Sequence, residues 1–250
     1  MQRFDSDGIE IAYLDEGEGD PVLLIHGFAT NVAMNWVASG WVRTLRDAGY
    51  RVIAYDNRGH GESEKLYDIE AYGAPLMAGD ALRLLDHLEI RRADVMGYSM
   101  GARIAAFLTL EAPERVRSAV FAGLGINMVR GVGAPGPIAR ALEAPSAGDV
   151  ANETARSFRL FAESTGGDLK ALAACMRSAR EKITAEAMAT LRLPVLVAVG
   201  ENDVIGGPAA ELAALIAGAE ALEIPGRDHL RAIPDRVYKK GVLAFLARRP

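Results

Sequence analysis

Short apolar, β-branched runs alternate along the chain with longer segments in which apolar residues recur at helical spacing. That alternation is typical of a mostly parallel β-sheet covered by helices. The apolar runs predict strands at residues 22–25, 52–55, 93–96, 119–122, 195–199 and 222–224. The helical spacing predicts helices at residues 36–48, 75–88, 102–111, 208–216 and 237–247. Ahead of the first run, Asp7-Gly8 between alternating apolar residues predicts a β-hairpin.

One long stretch, residues 124–191, contains no strand pattern. It begins with a segment rich in glycine and proline and continues as short helical patterns at residues 138–143, 150–161, 169–180 and 185–190. An insertion of this length after the sixth strand predicts a helical cap over a site. A plain helical connection is the alternative. With a cap at 124–191, residues 1–123 and 192–250 form one α/β core.

The composition excludes several classes of protein. The chain has 250 residues, of which 50% are apolar and 24% charged, as in ordinary globular domains rather than disordered or fibrous chains. The single cysteine, Cys175, permits no internal disulfide. The net charge of −5, without a basic block, argues against nucleic acid or an anionic membrane as a partner. No apolar run approaches the roughly 18 residues of a membrane span, and no signal-like segment follows the first residues, so we expect a cytoplasmic protein. The oligomeric state is not predicted.

The candidate nucleophile is Ser99, at the centre of Gly97-Tyr98-Ser99-Met100-Gly101. The motif lies between a predicted strand and a predicted helix, which is the context of a G-x-S-x-G elbow that exposes a serine hydroxyl above the sheet. Glycines suit the flanking positions because the tight turn leaves no room for a Cβ atom. A glycine-rich helix start with an incidental serine is the alternative.

A serine hydroxyl needs a base beside it, and the chain offers four histidines. His26 ends a buried strand and suits a role in shaping the backbone. His60 lies in a turn and suits a structural role, and His87 lies on a helix. His229 follows the last predicted strand in a short loop, so it is the candidate base.

The base must be oriented by an acid, which we expect at the carboxyl end of a strand. Asp203 follows the strand at 195–199 and is the candidate, with Glu201 and Asp228 as rivals. The order Ser99, Asp203, His229 is the order that the elbow fold uses.

Acyl transfer also needs N–H donors aimed at the developing oxyanion. One is the amide of Met100, directly after the nucleophile. The other is the amide of Phe28, where Gly27 lets the chain turn inward after the strand at 22–25.

Taken together, these residues resemble the α/β-hydrolase superfamily over essentially the whole chain. The matching segments are residues 26–28, 56–63, 97–101, 200–203 and 226–229. The resemblance implies an eight-stranded, mostly parallel sheet with an antiparallel second strand, flanking helices and a small helical cap. The chemistry of such a site calls for no cofactor and no metal.

Differences from subfamilies narrow the expected chemistry. Ser99 stands where haloalkane dehalogenases and epoxide hydrolases carry aspartate, and where dienelactone hydrolases carry cysteine. Carbon–carbon bond hydrolases typically have tryptophan after the base histidine, whereas this chain has Leu230. Enol-lactone hydrolases are more similar, with a Ser-Met-Gly elbow and a short cap.

The expected function is hydrolysis of small, rather apolar carboxylic esters or lactones by a serine esterase or lactonase. The alternatives are a cofactor-independent perhydrolase, a carbon–carbon bond hydrolase, and a slow-turnover ligand receptor on the same scaffold. Trp36 and Asn35 are candidates for one wall of the substrate pocket. Phe158, Phe161 and Met128 are candidates for an apolar roof contributed by the cap.

Overall fold

The computed structural model describes residues 1–178 and 181–249, and its centre is one β-sheet. The strands are β1 (Gln2–Asp5), β2 (Glu10–Glu16), β3 (Asp20–Ile25), β4 (Tyr50–Tyr55), β5 (Ala93–Tyr98), β6 (Val116–Ala122), β7 (Val195–Gly200) and β8 (Glu220–Ile224). They form an eight-stranded sheet in the order β1-β2-β4-β3-β5-β6-β7-β8. β2 is antiparallel to both of its neighbours, and all pairs among β3 to β8 are parallel. The sheet expected from the resemblance is confirmed.

The two faces of the sheet are covered by different helices. The helices are α1 (Trp41–Asp47), α2 (Ala74–His87), α3 (Met100–Glu111), α4 (Asn127–Arg130), α5 (Gly136–Glu143), α6 (Glu153–Ser164), α7 (Leu169–Arg177), α8 (Ala185–Met188), α9 (Ala209–Ala213) and α10 (Arg236–Leu246). Successive side chains of β3 alternate between two cores. Leu23 and Ile25 pack with α2, α3 and α9, whereas Val22 and Leu24 pack with α1 and α10. Burial on both faces explains the continuous apolar runs.

The predicted hairpin at Asp7-Gly8 joins β1 to β2. Asp5 pairs with Glu10 across the turn. Asp7 has φ 56° and Gly8 has φ 82°, and positive φ at both central residues is what a type I′ turn requires.

The helix predicted at 36–48 is instead two segments. A π-helix covers Ala33–Ala38 and α1 begins only at Trp41. The break lies at Gly40, whose φ of 79° is left-handed and cannot continue a helix.

Residues 124–191 carry α4 to α8, and no strand is assigned to the part of this stretch that the structure describes. The predicted segment 169–180 corresponds to α7, although residues 179 and 180 lie outside the described residues. The helix α6 begins at Glu153, later than predicted, because the side chain of Asn152 caps it by accepting from the amide of Ala155. The helices α5, α6 and α7 pack together through a small apolar cluster that also includes Ala29 in the loop after β3. The insertion is thereby attached to the loop expected to bind an oxyanion.

Across residues 1–178 and 181–249, the structure contains no helix with the length and apolar character needed to cross a bilayer.

Candidate active site

Ser99 occupies a sharp turn between β5 and α3. Its φ of 56° and ψ of −114° lie outside the regions that a non-glycine residue ordinarily adopts. The turn is fixed on both sides, because the amide of Ser99 donates to Ala122 O on β6 (2.7 Å) and its carbonyl accepts from the amide of Ala102 (3.0 Å). The strained conformation carries the hydroxyl away from the sheet edge, as expected for a nucleophile elbow.

The two glycines of the motif are required by close backbone contacts. A Cβ atom at Gly97 would lie 2.1 Å from Gly101 O, and one at Gly101 would lie 2.0 Å from Ile25 O. Both distances are far below van der Waals contact. A larger residue at either position would therefore force the elbow away from β3 and β5.

The structure brings the hydroxyl of Ser99 and the imidazole of His229 together. Nε2 of His229 lies 3.0 Å from Oγ of Ser99, and Nδ1 lies 2.7 Å from Oδ2 of Asp203. Both distances are within the range for proton transfer and hydrogen bonding between a nucleophile, a base and its orienting acid. The side chain of Asp203 is fully buried, and that of His229 is 16% exposed.

Asp203 is anchored by its second oxygen. Oδ1 accepts from the amides of Ile205 and Gly206, both at 2.9 Å. These two donors satisfy the buried oxygen that His229 does not use, and they fix the carboxylate plane. Oδ2 is thereby directed at the imidazole.

The loop of His229, between β8 and α10, is tied to the elbow by Tyr98. The Tyr98 hydroxyl donates to the carbonyl of His229 at 2.5 Å, and the two rings lie 5.5 Å apart between centroids. Burial raises the pKa of Tyr98 well above its ordinary value, with further contributions from Asp203 and Asp228. The hydroxyl is therefore a permanent donor. The residue before the nucleophile thus positions the loop of the base.

Glu201 and Asp228, the rival candidates for the orienting acid, bind backbone amides instead of His229. Glu201 accepts from the amide of Gly226 (2.6 Å), and Asp228 accepts from the amides of Leu230 (3.1 Å) and Arg231 (2.8 Å). Neither carboxylate is hydrogen-bonded to His229, which bonds Asp203.

The remaining three histidines have structural surroundings. His87 is exposed and stacks on Phe4. His60 is buried, and its Nδ1 lies 3.0 Å from Arg58 O. His26 is fully buried beside the oxyanion loop.

His26 orients the peptide that joins Gly27 to Phe28. Burial lowers the pKa of His26 to about 4, so the ring is neutral at pH 7. Its Nε2 accepts from the amide of Asn57 (2.9 Å), which leaves Nδ1 to donate to Gly27 O at 2.7 Å. Because the C=O and N–H of one peptide point in opposite directions, this bond turns the Phe28 N–H away from His26.

Phe28 and Met100, whose amides are the expected oxyanion donors, line the same cavity as Ser99. A Cβ atom built at Gly27 would lie 3.5 Å from Cβ of Ser99, so the Gly27–Phe28 turn passes beside the nucleophile. Met100 is the first residue of α3, where helical N–H groups have no partner within the helix. The arrangement suits stabilisation of negative charge, because the positive end of the helix dipole adds to the amides.

A cavity of about 470 Å³ opens onto Ser99 and is bordered by the cap. Phe28 and Ile104 line it from the core, and Leu124, Phe158 and Met176 line it from the cap. A mostly apolar cavity of this size is typical of small-molecule sites.

The other predicted wall residues are not in the cavity lining, and their packing explains why. Trp36 is fully buried against Trp41, and Met128 is buried in the core beside α3. Phe161 packs against the cap cluster. Asn35 holds the oxyanion loop in place, since its Oδ1 accepts a hydrogen bond from the amide of Gly27 (3.2 Å). The predictions for these four residues are corrected accordingly, and of the five predicted wall residues only Phe158 lines this cavity.

Several lining residues are not predicted from the sequence, among them Met77, Arg103 and Ile205. Met77 and Arg103 lie on predicted core helices, α2 and α3. Only Arg103 has a signal in the sequence, because it lies four residues after Ser99 and therefore about one turn into the helix that follows the elbow.

Comparison with known proteins agrees with this architecture. A family model described as the alpha/beta hydrolase fold matches residues 20–130. A non-heme chloroperoxidase of Kitasatospora aureofaciens is 39% identical over 118 residues, which are 46% of this chain and 40% of that protein. The chain thus spans well under half of the length of this curated relative.

Two solved structures are similar over nearly the whole chain. A hydrolase from Pseudomonas aeruginosa PA01 is 28% identical, with a TM-score of 0.76 over 98% of this chain and 97% of the other. The enol-lactonase from Burkholderia xenovorans LB400 shares the fold, with 24% identity and a TM-score of 0.81 over 99% and 100% of the two chains. Fold and site define a member of the hydrolases built on an α/β sheet. The chain has the fold of the α/β-hydrolase superfamily.

Proposed function

We propose that the protein is a serine hydrolase that cleaves small, rather apolar carboxylic esters or lactones through an acyl-enzyme on Ser99. The observation that carries this proposal is the continuous line from Asp203 through His229 to the Ser99 hydroxyl, which faces a largely apolar cavity. The substrate is a small molecule, and cleavage needs no co-reactant other than water.

In the first half-reaction, Oγ of Ser99 attacks the carbonyl carbon of the ester. His229 accepts the hydroxyl proton at Nε2, and Asp203 stabilises the imidazolium that forms. The carbonyl oxygen becomes an oxyanion between the amides of Phe28 and Met100. The bond from carbon to the leaving oxygen then breaks, and His229 returns the proton to that oxygen. The acyl group remains on Ser99.

In the second half-reaction, water takes the place of the serine hydroxyl. His229 removes a proton from the water as its oxygen attacks the acyl carbon, and the same two amides bind the second oxyanion. The bond to Oγ breaks, and the proton on His229 passes to Ser99. The products are a carboxylic acid and the regenerated hydroxyl. For a lactone, the acid and the alcohol are one molecule.

A second candidate function is perhydrolysis, favoured by the likeness to the non-heme chloroperoxidase over 118 residues. In that reaction, hydrogen peroxide replaces water as the attacking group, and the acyl-enzyme is released as a peracid. The first half-reaction, which forms the acyl-enzyme, is the same for hydrolysis and perhydrolysis. Peracid formation from hydrogen peroxide and an ester, compared with acid formation in its absence, separates the two functions.

The test is steady-state hydrolysis of chromogenic esters and of lactones of increasing chain length. The unmodified protein should turn over short members of the series, and Ser99→Ala should reduce kcat by about 10⁶-fold. Ser164→Ala removes an exposed hydroxyl from the cap helix α6 and serves as the matched control. Retention of ester cleavage by Ser99→Ala would contradict the proposal. A burst of product without steady turnover would instead favour a ligand receptor.

A further inference from the structure

The walls of the cavity differ sharply in charge from the surface of the protein. The chain as a whole has a net charge of −5. Among the described residues that line the cavity, none is Asp or Glu, and Arg103 is the one Lys or Arg. Apart from this guanidinium and a few small polar groups, the walls are mainly aliphatic and aromatic.

Arg103 is placed by the helix that carries the nucleophile. It lies four residues after Ser99, one turn along α3, and its amide donates to Ser99 O at 3.2 Å. Its guanidinium donates from Nη2 to Met128 O on α4 at 3.0 Å. The side chain is half-buried and lies where α3 and α4 border the cavity.

A cation at the wall of an apolar cavity attracts an anionic group more strongly than a cation in open water, because apolar walls screen charge less. The described lining residues include no carboxylate that would repel such a group. The overall negative charge of the protein would otherwise disfavour an anionic ligand, so a local cation is the feature needed to select it.

Resting on the proposed function, we propose that the cavity is selective for esters or lactones that carry a carboxylate, and that Arg103 recognises this group. Arg103 places a positive charge at the cavity wall, and the planar N–H donors of a guanidinium match the oxygens of a carboxylate. The substrate is then apolar around its scissile bond and anionic at one end.

The test compares substrates that differ only in the charged group. On the acyl side, the pair is p-nitrophenyl hexanoate and the p-nitrophenyl half-ester of adipate. On the leaving-group side, the pair is 4-carbamoylphenyl acetate and 4-carboxyphenyl acetate. The measured quantity is the ratio of kcat/KM for the anionic and neutral member of each pair. This ratio does not depend on the fraction of folded protein, so a destabilised variant can still be interpreted.

The protein is expected to prefer the anionic member of at least one pair. Arg103→Met should reduce that preference by about 10- to 100-fold, the usual range for a lost hydrogen bond to a charged group. Arg103→Lys, which keeps the charge without the planar fork, should retain part of it. Arg130→Met changes the net charge equally at an exposed residue of α4 paired with Glu211, so it should retain the full preference.

Binding without turnover distinguishes failure of this inference from failure of the proposed function. Adipamate and hexanamide are titrated into the protein by calorimetry, and adipamate should bind more tightly through Arg103. If neither ester pair is cleaved but this difference is present, the anionic site is supported and the hydrolase is not. If esters are cleaved with no preference for the anionic member, or with a preference that Arg103→Met leaves intact, the inference is overturned while the hydrolase remains.

Discussion

At the scale of single residues, Asp203 uses each of its oxygens for a different purpose. Oδ1 binds two amides of its own loop and Oδ2 binds Nδ1 of His229. The same division applies to His26, whose Nε2 accepts from Asn57 while Nδ1 donates to Gly27 O. The bonds to Asp203 Oδ1 fix the plane of the carboxylate, and the bond to His26 Nε2 fixes the tautomer of the imidazole.

Replacement of Asp203 by asparagine tests the orienting role. The side-chain amide introduced by Asp203→Asn would present an N–H to His229 Nδ1 and favour the tautomer whose Nε2 cannot accept the serine proton. We expect kcat for ester cleavage to fall by about 10⁴-fold, as in another serine triad. Asp228→Asn is the matched control, because that carboxylate bonds the amides of Leu230 and Arg231. A loss below about tenfold in Asp203→Asn would refute the role.

Tyr98→Phe tests the bond between elbow and base loop. Loss of the donor to His229 O should lower kcat by about tenfold with little change in KM, since the bond positions the imidazole without touching substrate. Tyr238→Phe is the control, because its buried hydroxyl is without a hydrogen-bond partner among the described residues. Equal kcat in the two variants would show that Tyr98 only fills space.

At the scale of elements, the sequence predicted those features whose cause is local. β3, β5 and β7 are apolar on both faces, and the Asp7-Gly8 turn needs two residues with positive φ. Gly40 interrupts the helix predicted at 36–48 because its backbone has a left-handed conformation. The helical pattern around it is continuous, so the pattern alone could not show it.

The candidate site was predictable only in part, for a related reason. Ser99, Asp203 and His229 each follow a strand, and parallel strands of one sheet end at a common edge. The cavity wall is formed where the core helix α3 and the cap, including α4, approach one another, and no local pattern specifies that packing. The sequence therefore does not distinguish Trp36 and Met128, which are buried in the apolar clusters on either face of the sheet, from residues that line the cavity.

Gly101→Ala tests the geometry of the elbow. The added Cβ would lie 2.0 Å from Ile25 O, a backbone atom that cannot move without disturbing β3. We expect the free energy of unfolding to fall by several kcal/mol, measured by urea denaturation. At Gly79, within α2, the nearest atom to an added Cβ is the flexible Nη1 of Arg83 at 3.2 Å. Gly79→Ala should therefore stabilise the protein by up to about 1 kcal/mol. Equal effects of the two variants would contradict the steric argument.

At the scale of the whole molecule, the sheet buries two histidines beneath the oxyanion loop. Burial lowers the pKa of His26 to about 4 and that of His60 to about 3, where the neighbouring His26 lowers it further. The ordinary value, retained in the unfolded chain, is 6.5. Below pH 6.5 the unfolded chain therefore binds protons that the folded protein does not.

The resulting prediction is a loss of stability in mild acid. Well above pH 6.5, both histidines are neutral in the folded and in the unfolded protein. Their protonation therefore does not lower the free energy of unfolding in that pH range. As the pH falls from 6.5 towards 4, each should lower the free energy of unfolding by up to roughly 1.4 kcal/mol per pH unit. The pKa of the nearby carboxyl of Asp56 is raised by burial, which opposes this trend.

Urea denaturation between pH 7.5 and 4.5 measures this effect. His60→Gln should have a shallower pH dependence than the unmodified protein, because one buried group is removed. A slope in His60→Gln as steep as in the unmodified protein would exclude His60 as a source.

The central claim is that the Ser99 hydroxyl is a nucleophile activated by His229. It is tested most directly by reaction with a fluorophosphonate probe, followed by mass spectrometric identification of the modified residue. We predict a single adduct on Ser99, formed much more slowly in His229→Ala and absent from Ser99→Ala. An adduct on another serine, or no adduct under conditions where the protein is folded, would contradict the account.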